Sequence, residues 1–210
     1  VDLGTAADLL ANPGLVYPGG RKKSLTILFS VIRGFTNLSE TIPPEQVTEL
    51  LNLYFTEMMQ ILFAHDGTYD KFIGDALLAF FGDPVDQPDQ SERGLACAVE
   101  MQERAAQLRK RFLAEGRPQL HIGIAVHTGP AVVGNHGSAE NWSYTGIGDT
   151  VNLAARLQGL AQRDEVILSV STAARIPNLR EHYIVEEMDP VMVKGKSEPI
   201  EILRVVGRRP

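Results

Sequence analysis

The sequence predicts an α+β sandwich, with helices packed over a largely antiparallel sheet. Three observations carry this. Short runs rich in β-branched and apolar residues are interspersed with longer runs whose apolar positions recur at helical spacing. Gly74 and Asp75 sit between two apolar runs as the turn of a tight hairpin would. The chain of 210 residues is 44% hydrophobic, which is enough for a real core.

Residues 1–23 read as a connector: a short helix over residues 6–10 is followed by residues 12–20, where Pro13, Gly14, Pro18, Gly19 and Gly20 lead into Arg21, Lys22 and Lys23. Residues 24–207 read as one domain. Residues 24–32 (SLTILFSVI) form an apolar, β-branched run short enough for a buried strand, ended by Arg33 and Gly34. Pro43 and Pro44 open a long helix whose buried stripe is Val47, Leu50, Leu51, Tyr54, Met58 and Leu62. Two strands hinged on Gly74 and Asp75 follow, then a second long helix over residues 91–115, stopped by Gly116 and Pro118. Residues 121–134 read as strand, bend, strand, and residues 142–147 as another strand. Asp149 is expected to cap a helix over residues 150–161, its carboxylate accepting from free amides of the first turn. Strands over residues 165–170, 183–188 and 200–206 complete the sheet.

Composition excludes several classes. A formal charge of −6 does not suit duplex binding, which needs clustered Lys and Arg, so no nucleic-acid partner is expected. The single cysteine, Cys97, rules out an internal disulfide and any Cys-based zinc cluster, and fits a reducing, cytoplasmic setting. No run approaches the roughly 18 apolar residues of a membrane span. The first residue is Val1 rather than Met, which suggests a piece of a longer parent, membrane-anchored or not.

Most short motifs fail on inspection. Gly195, Lys196 and Ser197 mimic the end of a P-loop, but Pro190 stands where its first glycine belongs. The five histidines lack HExxH spacing, and no GxSxG is present. Two features survive. Asp75, at a hairpin tip, is a turn residue when taken alone, yet it is also placed to hold a hard cation. A two-ion site would need a second carboxylate on the strand ending Phe29, Ser30, Val31, Ile32, and none is there. Asn152 and Arg156 lie four apart on one helix face, opposite Val151, Leu153, Ala154 and Leu157. That face is an ordinary solvated one when taken alone. An amide beside a guanidinium also suits ribose and phosphate oxygens.

Four segments together resemble a known family: LTILFSVIRGFTNLSE, DKFIGDALLAFFG, YTGIGDTVNLAARL and VKGKSEP. Their order and separations are similar to those of the class III nucleotidyl cyclase catalytic domain of bacterial type, from about Lys22 to Val206. The resemblance implies a ferredoxin-like α+β sandwich. It also implies formation of a cyclic nucleotide by attack of the 3′-hydroxyl on the α-phosphate, with release of pyrophosphate. It further implies two Mg²⁺ or Mn²⁺ ions, a head-to-tail homodimer with its sites at the interface, and an upstream regulatory domain. Asp75 matches a metal aspartate and Ile32 a metal-binding backbone carbonyl. Gly34, Phe35 and Thr36 match the turn whose amides hold the triphosphate. Lys71 and Thr145 match the base-reading pair of adenine-selecting members, so ATP is the implied substrate. An ammonium can donate to adenine N1, and a hydroxyl can accept from the exocyclic amine. Asn152 and Arg156 match the pair at the ribose and α-phosphate, and Lys194 the lysine on the terminal phosphates. Residues 127–145 are expected to supply the dimerisation arm.

One position departs from the pattern F-S-D-I-R-G-F-T: Val31 stands where the second metal aspartate belongs. Valine offers no oxygen, so ion affinity and activation of the 3′-hydroxyl should both fall, while a valine at a buried strand end should cost the fold little. Both sites of a symmetric pair would share the defect. Two explanations stand: a substitution in an otherwise complete adenylyl cyclase site, favoured because every other matched residue is retained, or a pseudo-cyclase that binds nucleotide or dimerises without turnover.

Overall fold

The computed structural model describes residues 19–138 and 140–210. Most of the expected connector, including the helix over residues 6–10, lies outside them. The sheet has eight strands: β1 (Gly19–Ile32), β2 (Thr68–Ile73), β3 (Ala76–Phe81), β4 (Ile122–Gly137), β5 (Trp142–Ile147), β6 (Val166–Ser169), β7 (Tyr183–Glu187) and β8 (Ile202–Arg208). Seven run in the order β2-β3-β1-β4-β6-β8-β7, and β5 pairs with the far end of β4. Among the described residues only β4 and β6 pair in parallel, so the sheet is mixed and the class is α+β, as the sequence predicts. The helices are α1 (Phe35–Thr41), α2 (Pro44–Ala64), α3 (Gln90–Ala114), α4 (Asp149–Leu160), α5 (Val170–Ala173) and α6 (Leu179–His182).

The sheet is covered on both faces, which explains its unbroken apolar runs. Along β1 the side chains alternate. Leu28 and Ile32 join the core beneath α2 and α3, with Tyr54, Met58, Leu95, Phe112 and Phe81. Leu25, Ile27 and Phe29 face the other way, into a core with Phe80, Val133, Tyr144 and Ala154 of α4. Each wholly buried Leu or Phe contributes about 1.5–3 kcal/mol relative to exposure.

Three expectations need correction. β1 begins at Gly19, not at residue 24. Its basic start is not linker, because Arg21 and Lys23 pair across from Val133 and Ala131 and both form ion pairs with Asp83, at 2.6 and 2.9 Å. The Asp83 side chain is fully buried and also accepts a hydrogen bond from the Tyr144 hydroxyl, so this stretch is pinned to the sheet. Next, β4 is one continuous strand. The Pro130 carbonyl accepts from the Thr150 hydroxyl rather than from β1, so its nitrogen faces the gap between β6 and β5, where no ladder bond is lost. Finally, Asp149 is the first residue of α4, not its cap; Gly148 holds that place, and the carboxylate turns to Lys196.

A seam of buried hydroxyls crosses the sheet. Thr26, Ser91 and Thr128 bond one another at 2.8–3.2 Å, the Thr128 amide donates to the Thr172 hydroxyl, and Ser169 links Thr172 to His127 Nδ1. Burial, helped by Lys196 and Arg175 and opposed by Asp149, pushes the His127 imidazole down from 6.5 to about 4. Between those values the unfolded chain binds a proton that the native chain does not, so stability rises with pH through this window. Moving from pH 7.5 to pH 5 is expected to cost the parent roughly 2 kcal/mol more than a His127→Gln variant, read from urea midpoints. Parallel pH profiles for the two proteins would show the imidazole to be uninvolved.

Candidate active site

The matched residues gather in three groups. The first lies where β1 ends beside the β2–β3 hairpin. Gly74 takes a left-handed φ of 60° at the turn, and Asp75 follows it. Val31 lies opposite Ala76 of β3 and Gly123 of β4, and its side chain packs on the Phe29 side of the sheet. The Asp75 carboxylate accepts from its own amide and that of Ile32, which brings it to the β1 terminus. Burial raises its pKa, and these hydrogen bonds and nearby Arg33 oppose the rise. The Arg33 guanidinium reaches across to the Gln158 carbonyl of α4. Beyond it Gly34 adopts a left-handed φ of 74°, and Phe35 and Thr36 begin α1.

The second group joins β2 to β5. Thr145 and Lys71 are far apart in the chain and meet on one side chain, Asp70. The Thr145 hydroxyl donates to Asp70 Oδ2 at 2.6 Å, and the Gly146 amide donates to the same oxygen at 3.1 Å. Lys71 Nζ stands 3.3 Å from Oδ1, within ion-pair reach but not aligned as a hydrogen bond, and Oδ1 has no other partner. The Asp70 side chain is 1% exposed, and Thr145 is buried.

The third group is built on α4 and the segment before β8. Asn152 is exposed and Arg156 half-buried, while Leu153, Ala154 and Leu157 face the core. The Arg156 guanidinium lies against Gly195, with Nη1 3.3 Å from where a β-carbon would stand. Gly195 has φ 84° and no side chain, so the backbone beside Lys194 can approach the arginine. The Lys196–Asp149 ion pair closes the same segment onto the start of α4. Among the described residues, no hydrogen bond or ion pair joins Asp75 to the Lys71–Thr145 group or to Arg156.

A sequence model of the adenylate and guanylate cyclase catalytic domain matches residues 18–203. The chain belongs to this family. Adenylate cyclase 1 of Rhizobium meliloti is 33% identical over 192 residues, covering 90% of this chain and 29% of that protein's length. The crystal structure of the adenylyl cyclase CyaB from P. aeruginosa superposes with a TM-score of 0.86 and 36% identity, covering 91% of this chain and 98% of that one. The guanylyl cyclase Cya2 superposes almost as well, at 0.84 and 35%, covering 91% and 96%. Backbone similarity therefore does not choose the base; side chains in the cyclase domain must.

Sequence reasoning about this cyclase domain missed Asp70 and Arg33. Asp70 occupies a β-bulge: Tyr69 pairs with Ala79 and Lys71 with Leu78, leaving Asp70 as the extra residue. Only an acidic residue inside a strand-like run hinted at it. The oxygen donors are those the sequence reading expected. Asp75 and the Ile32 carbonyl are hard donors suited to Mg²⁺ or Mn²⁺. Val31 adds none, and no group of three or more His, Cys, Asp or Glu clusters among the described residues. The residues present therefore fit one ion and do not fit the pair.

Proposed function

We propose that this domain converts ATP to 3′,5′-cyclic AMP and pyrophosphate, slowly, at sites formed between two copies of the chain. The observation that carries the choice of ATP is the meeting of Lys71 and Thr145 on Asp70. The lysine ammonium can only donate, which suits adenine N1, an acceptor, and opposes guanine N1, which carries a proton. The Thr145 hydroxyl spends its proton on Asp70, so its oxygen accepts from the adenine 6-amino group.

In the reaction, a bond forms between the ribose O3′ and the α-phosphorus. The bond from that phosphorus to the bridging oxygen breaks, pyrophosphate leaves, and the 3′-hydroxyl proton passes to solvent or a phosphate oxygen. Asn152 orients the ribose. Arg156 meets the charge that develops on the α-phosphate, and Lys194 holds the terminal phosphates with the amides of Gly34, Phe35 and Thr36. Asp75 and the Ile32 carbonyl would hold Mg²⁺ or Mn²⁺, which neutralises phosphate charge and favours the ionised nucleophile when bound. One chain carries both the Asp75 group and the Lys71 group, and among the described residues no hydrogen bond or ion pair joins them, so a symmetric pair that supplies one group from each copy would build two equivalent sites. The β4–β5 hairpin, within residues 127–145 and just beyond, is the arm that reaches the partner. A regulatory domain of the parent would act on this pairing from the cytoplasmic side. Among the described residues, no helix is long and apolar enough to cross a membrane.

Product identity tests the reading. With Mn²⁺ and either ATP or GTP, Val31→Asp is expected to yield cyclic AMP in excess over cyclic GMP. A cyclic GMP excess would overturn the assignment of Lys71 and Thr145. Val31 itself favours a second reading, a pseudo-cyclase that binds nucleotide without turnover. That reading gains if Val31→Asp dimerises and binds ATP yet forms no product.

A further inference from the structure

We infer that Asp70 is a positioning residue that sets base selectivity, by fixing the polarity of the Thr145 hydroxyl and holding Lys71 beside it. The inference rests on the reading of Lys71 and Thr145 as the base-contacting pair and goes one step behind it.

A threonine hydroxyl is ambiguous. It can donate or accept, and a freely turning one would accept from an adenine amine and donate to a guanine carbonyl equally well. A reader built from Lys71 and a free Thr145 would therefore discriminate poorly at the 6-position. In this structure the ambiguity is removed. Asp70 Oδ2 accepts a hydrogen bond from the Thr145 hydroxyl at 2.6 Å, leaving only lone pairs on the hydroxyl oxygen to face a ligand. The Gly146 amide on the same oxygen, at 3.1 Å, stops the carboxylate from swinging away. The buried Oδ1 has no hydrogen bond and draws Lys71 Nζ to 3.3 Å, next to the hydroxyl it must work with.

The backbone explains how a carboxylate comes to be there. The bulge between Tyr69 and Lys71 takes Asp70 out of register with β3. A regular strand would give Asp70 a partner on β3; the extra residue instead frees its side chain to cross to β5. Hydrogen bonds shielded from water are electrostatically stronger, and the Asp70 side chain is 1% exposed, so the arrangement is rigid. A buried carboxylate with one oxygen lacking a hydrogen bond is a costly choice for structure alone, where a neutral residue would serve.

The test is calorimetric binding of ATP and of GTP, each with Mg²⁺, to the full chain and to Asp70→Ala. The parent is expected to prefer ATP, and Asp70→Ala is expected to lower the ATP/GTP affinity ratio about tenfold or more. Asp70→Asn, which keeps an acceptor for Thr145 but no charge for Lys71, should fall between the two. A purely structural role would weaken both nucleotides equally. If the parent prefers ATP and Asp70→Ala keeps that ratio, the role of Asp70 is overturned while the base reading stands. If the parent shows no ATP preference, the base reading itself fails. Should Asp70→Ala not fold, Asp70→Asn decides: an ATP/GTP affinity ratio below the parent's supports the inference, and an unchanged ratio overturns it.

Discussion

Val31→Asp is expected to raise cyclic AMP formation by roughly two to three orders of magnitude, the scale on which removing a group that stabilises transition-state charge is felt. The position explains the size. Val31 lies opposite Ala76, one residue past Asp75, so a carboxylate there would add charge near Asp75 at the end of β1. The fold should register the same change with the opposite sign. Burial already raises the Asp75 pKa, so ionising it costs stability as pH climbs above 3.8, with the full cost present at neutrality. A second carboxylate alongside deepens that cost by about 1 kcal/mol or more, roughly 2–4 °C in Tm without metal. Mg²⁺ should return it by binding only the folded form. Cyclic AMP assays and thermal melts on both proteins, with and without Mg²⁺, check the pair of effects. Equal rates would sink the role assigned to this position.

Arg156→Ala, made together with Val31→Asp, is expected to lower kcat by about 10²–10³-fold while KM for ATP moves only a few-fold. The split follows from the role proposed for Arg156: the α-phosphate gains negative charge chiefly in the transition state, so an arginine meeting that charge would be felt little in substrate binding. The guanidinium is set by its surroundings. It sits on the half-buried side of α4, four residues from Asn152, against the bare backbone of Gly195. Arg156→Lys should recover only part of the loss, because an ammonium cannot offer two parallel donors. Steady-state cyclic AMP formation measures both variants. A loss carried entirely by KM would place Arg156 on the ground-state triphosphate instead.

Much of this molecule was legible before its structure. The unbroken apolar run over residues 24–32 and the helical stripe through Leu50, Tyr54, Met58 and Leu62 report burial directly, and both proved to face the core. The Gly74–Asp75 hairpin was equally plain, because few pairs make that turn. The site residues were legible as identities, through a motif, and not as an arrangement. Thr145 and Lys71 look unrelated along the chain, and nothing local says that Asp70 will stand between them. Local composition misled at residues 19–23, where a Gly-rich basic stretch reads as linker. Its fate depends on Asp83, 62 residues beyond Arg21. Pro130 misled in the same way: a proline looks like a break until the partner on its open side is known to be missing.

The sequence by itself determined an α+β domain, its core and the chemical types around the site, because burial and propensity are properties of neighbouring residues. It also determined that the Val31 side chain carries no oxygen. Only the tertiary structure decided which groups meet. It sent Asp70 across a bulge to Thr145 and set Gly195 under Arg156. These are contacts between strands and segments far apart in the chain, and they exist only once the sheet order is settled.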